Sequence, residues 1–216
     1  MLIDIHTHHF YKENQAVVAI TNCTHFDSLQ QGYLYSTGIH PWNVTESKWE
    51  SDFIALQQIS ILPSVLAIGE CGLDKLCNTS WELQLKSFVA QVKWANKIKK
   101  PLMIHCVRAY EEIIHLLKEE KNTQRVIFHG FNKGIMLAEK LVNEGYYLSF
   151  GKAIQNSRVQ STFKTIPADK IFVETDDSDI SIQDIYETAA AIKHISIDEL
   201  SLQIEKNYAT VFPSVF

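Results

Sequence analysis

Apolar residues along this chain fall into short continuous runs, separated by longer stretches in which they recur every three or four positions. Leu2, Ile3 and Ile5 form the first run, and similar runs lie at 16–20, 33–37, 65–68, 101–105, 125–129, 146–150 and 170–176. Runs this short and this apolar read as strands buried on both faces. Between them, residues 45–60 carry Trp49, Phe53, Leu56 and Ile59 at helical spacing, with Pro63 as the stop. Residues 79–99 place Leu83, Phe88, Val92 and Ala95 on one stripe, as a helix packed on a sheet requires. Further helices are expected at 108–120, 133–144, 183–194 and 197–212, and the segment 151–169 is assigned no element.

Eight strands alternating with amphipathic helices indicate the α/β class, a parallel sheet covered by helices. The count suggests closure into a compact, slightly irregular (β/α)8 TIM-type barrel. The irregularity is expected at the connections 9–15 and 21–32, which look too short for full helices. A doubly wound open sheet is the structural alternative, but no glycine-rich phosphate turn follows the first strand. No repeat, linker or low-complexity segment interrupts the pattern, so one domain over 1–216 is expected.

Composition narrows the function classes. Hydrophobic content of 46% and charged content of 21% are those of an ordinary globular protein. A formal net charge of -5 and a pI near 6.0 argue against a large basic surface for nucleic acid. They leave room for a small phosphate-bearing substrate, because bound cations change the local field. The four cysteines lack Cys-x-x-Cys spacing and read as reduced thiols. Cys71 and Cys106 adjoin candidate ligands, which makes oxidation or soft-metal binding there conceivable. No apolar run is long enough to span a bilayer, and no basic segment precedes an apolar one at the N-terminus. A cytoplasmic location with no obligate protein partner is the expectation.

The candidate chemistry lies where the strands end. His6 and His8 close the first strand, two apart and therefore on one side of extended chain. His40 follows the third strand, Glu70 the fourth and Asp176 the eighth, while His105 ends the fifth and His129 the sixth. These are all C-terminal strand ends, the face on which barrel enzymes assemble their sites. Imidazoles with carboxylates suit zinc, manganese or other first-row divalent ions. His9, His25, His115 and His194 lack this placement. Lys93, Lys97, Lys99 and Lys100 read as a solvated helix end away from the site.

The stretches Ile3-Asp-Ile-His-Thr-His8, Gly38-Ile-His-Pro-Trp42, Gly69-Glu-Cys-Gly-Leu-Asp74, Pro101-Leu-Met-Ile-His105 with Arg108-Ala109, His129-Gly-Phe131 and Glu174-Thr-Asp176 run in this order over most of the chain. Together they resemble the TatD family of metal-dependent hydrolases, among the amidohydrolase-type barrels. The resemblance implies a centre of two divalent ions, zinc, magnesium or manganese. His6, His8 and Asp176 would hold one ion, His105 and His129 the other, and Glu70 would bridge them. Such a pair acidifies a water and clamps the attacking and leaving oxygens of a displacement, with Asp176 as the expected general base.

Three further residues are candidates for substrate contact. His40 would meet substrate or a second-shell water, or else make a structural hydrogen bond. Arg108 would hold a phosphate or carboxylate, or else pair with Glu111 or Glu112. Phe131 would stack on a base, or else pack in the core. The chain departs from the family pattern after Asp176, where 177–180 runs almost directly into the next helix, and Asp177 and Asp179 add charge that would repel a polyanion. The leading expectation is a phosphodiesterase or deoxyribonuclease acting on nucleic-acid ends. The alternatives are a hydrolase of an ester or amide, such as aminoacyl-tRNA deacylation, and a catalytically weak metal-binding interaction module.

Overall fold

The computed structural model describes residues 1–11, 17–24 and 29–212. Its strands are β1 (Leu2–Thr7), β2 (Val17–Cys23), β3 (Leu34–Thr37), β4 (Val65–Asp74), β5 (Leu102–Val107), β6 (Val126–Phe128), β7 (Tyr147–Phe150) and β8 (Ile171–Val173). Its helices are α1 (Trp49–Ser60), α2 (Trp81–Ile98), α3 (Tyr110–Glu119), α4 (Ile135–Asn143), α5 (Ser157–Thr165), α6 (Ile182–Lys193) and α7 (Ile197–Val211). The strands follow chain order in the sheet. By contact density the chain forms two compact units, one of Met1–Thr21 with Ile127–Phe216 and one of Asn22–Val126.

In the first unit, β1 pairs in parallel with β2, β6 with β7 and β7 with β8. The chain then returns to its start, for Thr7 and Asp176 form a parallel bridge. There the Asp176 N–H donates to the His6 carbonyl and the His8 N–H to the Asp176 carbonyl, both at 3.0 Å. Helices α6 and α7 pack behind these strands and bring Tyr186, Leu200 and Ile204 into a core with Ile3, Ile5 and Phe172. The Tyr186 hydroxyl accepts from Ile3 N–H at 3.0 Å and donates to the Ile3 carbonyl at 3.1 Å, which leaves no polar group of that buried pair wanting. Ser181 caps α6, and Ser196 with Glu199 forms a capping box at α7.

The second unit is built on β4, all ten residues of which are buried. It pairs in parallel with β3 on one side and β5 on the other. Strand β4 runs six residues beyond the apolar run 65–68, through Gly69 and Gly72. Gly72 serves the pairing, at φ +151°, where a Cβ would come within 1.9 Å of the His105 carbonyl oxygen. Two glutamines on the buried face of α2 hold strand ends in place. Gln91 accepts from Ile39 N–H at 2.8 Å and donates to the Ile39 carbonyl at 3.1 Å. Gln84 does the same for Asp74, at 2.9 and 3.1 Å.

Other expectations need correction. The segment 151–169 contains α5 and a short 3-10 turn at Lys152–Gln155, and a second turn, Ala168–Lys170, spans its end. Helix α5 buries only Val159, Thr162 and Phe163, too few apolar positions for its period to show. Lys100 is not a solvated helix end. Half-buried, its ammonium donates to the carbonyls of Ser60, Leu62 and Val65, and burial pulls its pKa down to about 8. Among the described residues, no helix lies at the two short connections. Parts of both, 12–16 and 25–28, fall outside the described residues, as does His25. No described helix is long and apolar enough to cross a membrane.

Replacing Gln91 by Ala leaves the buried Ile39 amide without its partner. A loss of about 1–3 kcal/mol in unfolding free energy is expected from urea denaturation. An unchanged midpoint would show that the glutamine clamp contributes nothing to β3.

Candidate metal centre

In the first unit the β1–β8 junction brings three donors together. His6 Nε2 and His8 Nε2 each lie 3.5 Å from the same oxygen, Oδ1 of Asp176. Two ligands about 2.0–2.2 Å from a tetrahedral ion stand about 3.4 Å apart, so this spacing is that of atoms sharing a small cation. His6 is fully buried, whereas His8 and Asp176 are each 35% exposed, so the set is open on one side. Asp176 adopts φ 54°, a left-handed conformation that Asp accepts more readily than most residues. His129 joins the set, its ring 4.4 Å from that of His6 and its donor grouped with those of Glu174 and Asp176.

Two buried carboxylates hold this arrangement, and neither was assigned a role from sequence. Glu174, fully buried, accepts from Gly130 N–H at 2.6 Å and lies 3.7 Å from His129 Nδ1. Its second oxygen accepts no hydrogen bond among the described residues, an anionic atom that a nearby cation would compensate. Asp4 accepts from the Thr175 N–H at 3.0 Å, from the Thr175 hydroxyl at 2.6 Å and from the Tyr11 hydroxyl at 2.6 Å. Burial pushes its pKa up to about 6, against the pull of those hydrogen bonds, and the charge of Glu174 adds to the rise.

The second unit also holds a donor set. Glu70 Oε1 lies 3.9 Å from His40 Nε2 and 3.6 Å from His105 Nδ1, and the three form one candidate ligand group. Gly38 makes room for that carboxylate's backbone, since a Cβ there would sit 2.7 Å from the Glu70 carbonyl oxygen. Asn22 grips Glu70 at two points: its Nδ2 donates to Oε2 at 2.6 Å, and its Oδ1 accepts from the Glu70 N–H at 3.3 Å.

Asp74 backs the opposite side of His105, 3.6 Å from Nε2. It also accepts from the Trp42 indole at 2.6 Å and from Leu76 N–H at 2.7 Å. Burial alone would raise the Asp74 carboxyl, but these donors and His105 outweigh it and hold the pKa below the ordinary value. With Nδ1 facing Glu70, a carboxylate behind Nε2 fixes the imidazole tautomer that presents its lone pair forward. His40 differs. Its Nδ1 accepts from Trp42 N–H at 3.2 Å, so the neutral ring carries its proton on Nε2 and offers a donor rather than a lone pair.

The other sequence candidates separate. Phe131 is fully buried and meets Phe150 edge-on at 5.6 Å, so it is a core aromatic and cannot stack on a substrate base. Arg108 is exposed at φ 55°, and Glu112 pairs with Lys75. Cys71 is fully buried, and burial raises its thiol pKa, which removes it as a thiolate. Asn22 and Asp74 could have been suspected only as polar residues inside apolar strands.

Donors of this kind, imidazole nitrogens and carboxylate oxygens, fit a divalent cation in both units. Comparison with known proteins agrees. The family model described as TatD related DNase matches residues 15–213. A protein of Buchnera aphidicola (subsp. Baizongia pistaciae) named as an uncharacterised metal-dependent hydrolase is 34% identical over 203 residues, 85% of this chain and 76% of its own. An Erwinia amylovora protein named 3'-5' ssDNA/RNA exonuclease TatD is 33% identical over 152 residues, 67% of this chain and 58% of its own. The crystal structure of YjjV, a TatD homologue from Escherichia coli, superposes with a TM-score of 0.83 over 98% of both chains at 20% identity. The fold is thus the (β/α)8 barrel expected from the strand pattern.

Asn22→Ala removes both hydrogen bonds to Glu70 without touching a donor atom. Divalent-metal affinity, measured by competition with a chromogenic chelator, should fall about 10–100-fold. Unaltered affinity would show that Asn22 does not orient the carboxylate.

Proposed function

The chain belongs to the TatD family of metal-dependent hydrolases, and on that premise we propose that it hydrolyses phosphodiester bonds at nucleic-acid ends. The observation that carries this reading is the pair of imidazoles, His6 and His8, set at 3.5 Å from one half-exposed carboxylate oxygen of Asp176. The name of the Erwinia relative, a 3'-5' ssDNA/RNA exonuclease, supports the substrate class.

In this reading His6, His8, His129 and Asp176 of the first unit and His105 and Glu70 of the second would hold the divalent cations, two in all. When bound, the ions supply Lewis acidity to a phosphoryl oxygen and lower the pKa of a water. Asp176, reachable from solvent, accepts the proton of the attacking water. His40 donates its Nε2 proton toward a phosphoryl oxygen, as its Nδ1 contact with Trp42 N–H favours. Asp4, Glu174, Asn22 and Asp74 keep these groups aimed. Arg108, exposed on the turn after β5, is available to a more distant phosphate.

A second reading, ester or amide hydrolysis on the same centre, is favoured by one observation. Asp177 and Asp179 are exposed immediately beyond Asp176, and like charge there disfavours a polyanion, only partly screened by salt.

Hydrolysis of end-labelled single-stranded DNA by metal-reconstituted protein separates the two. Stepwise shortening is expected, with Asp176→Asn reducing the rate at least about 100-fold, as for loss of a general base, while retaining the fold. Intact DNA alongside cleavage of a carboxylic ester would favour the second reading. Full activity in Asp176→Asn would remove it from the role of base.

A further inference from the structure

Trp42 is 62% exposed, while Trp49 is buried and Trp81 and Trp94 are half-buried. Despite this exposure, the residue is held through its indole nitrogen, its backbone N–H and its ring. Its Nε1 donates to Asp74 at 2.6 Å, and its backbone N–H donates to His40 Nδ1 at 3.2 Å. Its ring meets the His40 ring edge-on, with centroids 4.9 Å apart at 86°, and the His105 ring at 5.9 Å and 76°. The polar atom of the indole is thereby used up on the protein side. The indole remains largely open to solvent beside His40 and His105.

We propose that Trp42 is a stacking platform for a nucleobase of the substrate. The inference rests on the nuclease reading above and names how the polymer is gripped. Three features argue for it. A rigid aromatic loses little conformational entropy on binding, because its orientation is set beforehand. The ring lies within one nucleotide's span of the His40 and His105 side chains, so a base stacked on it leaves its own phosphate near them. An exposed aromatic also takes up a base without adding positive charge, which suits a chain of net charge -5. Phe131, the aromatic that the sequence offered for this task, is buried. Since every base presents a π-face, the platform grips without strong sequence preference.

The test compares the wild type, Trp42→Ala and Trp42→Phe on two single-stranded substrates, one with normal bases throughout and one with abasic residues at its terminal positions. Metal content is measured in each protein. Both variants lose the indole donor to Asp74, so the stack is read from the ratio of Trp42→Ala to Trp42→Phe, which differ in the aromatic face. Loss of one base–aromatic stack should make KM for the normal oligonucleotide about 5- to 150-fold higher in Trp42→Ala than in Trp42→Phe, with equal metal content. On the abasic oligonucleotide the two variants should differ little from each other. An equal ratio on both substrates, or no difference between the variants on either, overturns the platform and leaves the nuclease reading standing. Failure of the wild type to cleave either oligonucleotide overturns both.

Discussion

A buried carboxylate joins the first strand to the segment that follows the last. Asp4, in the middle of β1, takes three hydrogen bonds from Thr175 and Tyr11, and Thr175 stands 171 residues further along. That bond set fixes the register of β1 against the segment after β8, and with it the pairing of Thr7 and Asp176. His6, His8 and Asp176 converge because of this register. A slip of one residue would turn the imidazoles to the other face. Holding Asp4 charged in such a place is costly, as its raised pKa of about 6 records, so the hydrogen bonds must be kept for the junction to be stable.

The same device recurs in the second unit with neutral groups. Gln84 and Gln91 reach from α2 to both backbone groups of Asp74 and Ile39, positions at or just beyond strand ends. Asn22 does so for Glu70. Residues that face the solvent side of the donor sets are thus anchored from behind by buried polar side chains, each with a named partner. This is the preorganisation that a metal site needs, because ligands already at the right spacing need not be reordered when an ion arrives. It also explains Trp42, which is exposed while its indole is anchored to Asp74.

The strands and most helices were legible in the sequence because their apolar period was strong, and the strand-end histidines and carboxylates stood out once the strands were placed. What was not legible has identifiable causes. Helix α5 carries only two apolar residues, Val159 and Phe163, among nine, so no stripe marked it. β4 runs through two glycines that look like a turn and instead permit close strand approach. Phe131 follows His129 closely enough to suggest a site aromatic, but the backbone at Gly130, φ +59°, sends the two side chains to different surroundings. Lys100 belongs to a basic cluster by sequence and to a set of carbonyls by contact. Partners such as Asn22 and Asp74 depend on contacts across strands, which no spacing rule reports.

Metal stoichiometry tests the central claim most directly. Protein stripped with a chelator, reconstituted with zinc or manganese and desalted would be analysed for bound metal per chain, beside the double variant His6→Ala with His8→Ala. Two equivalents in the wild type and about one in the variant are expected, since only the set on Asp176 is dismantled. Less than one equivalent in the wild type, or equal content in both proteins, would contradict the assignment of the β1–β8 junction as a metal site.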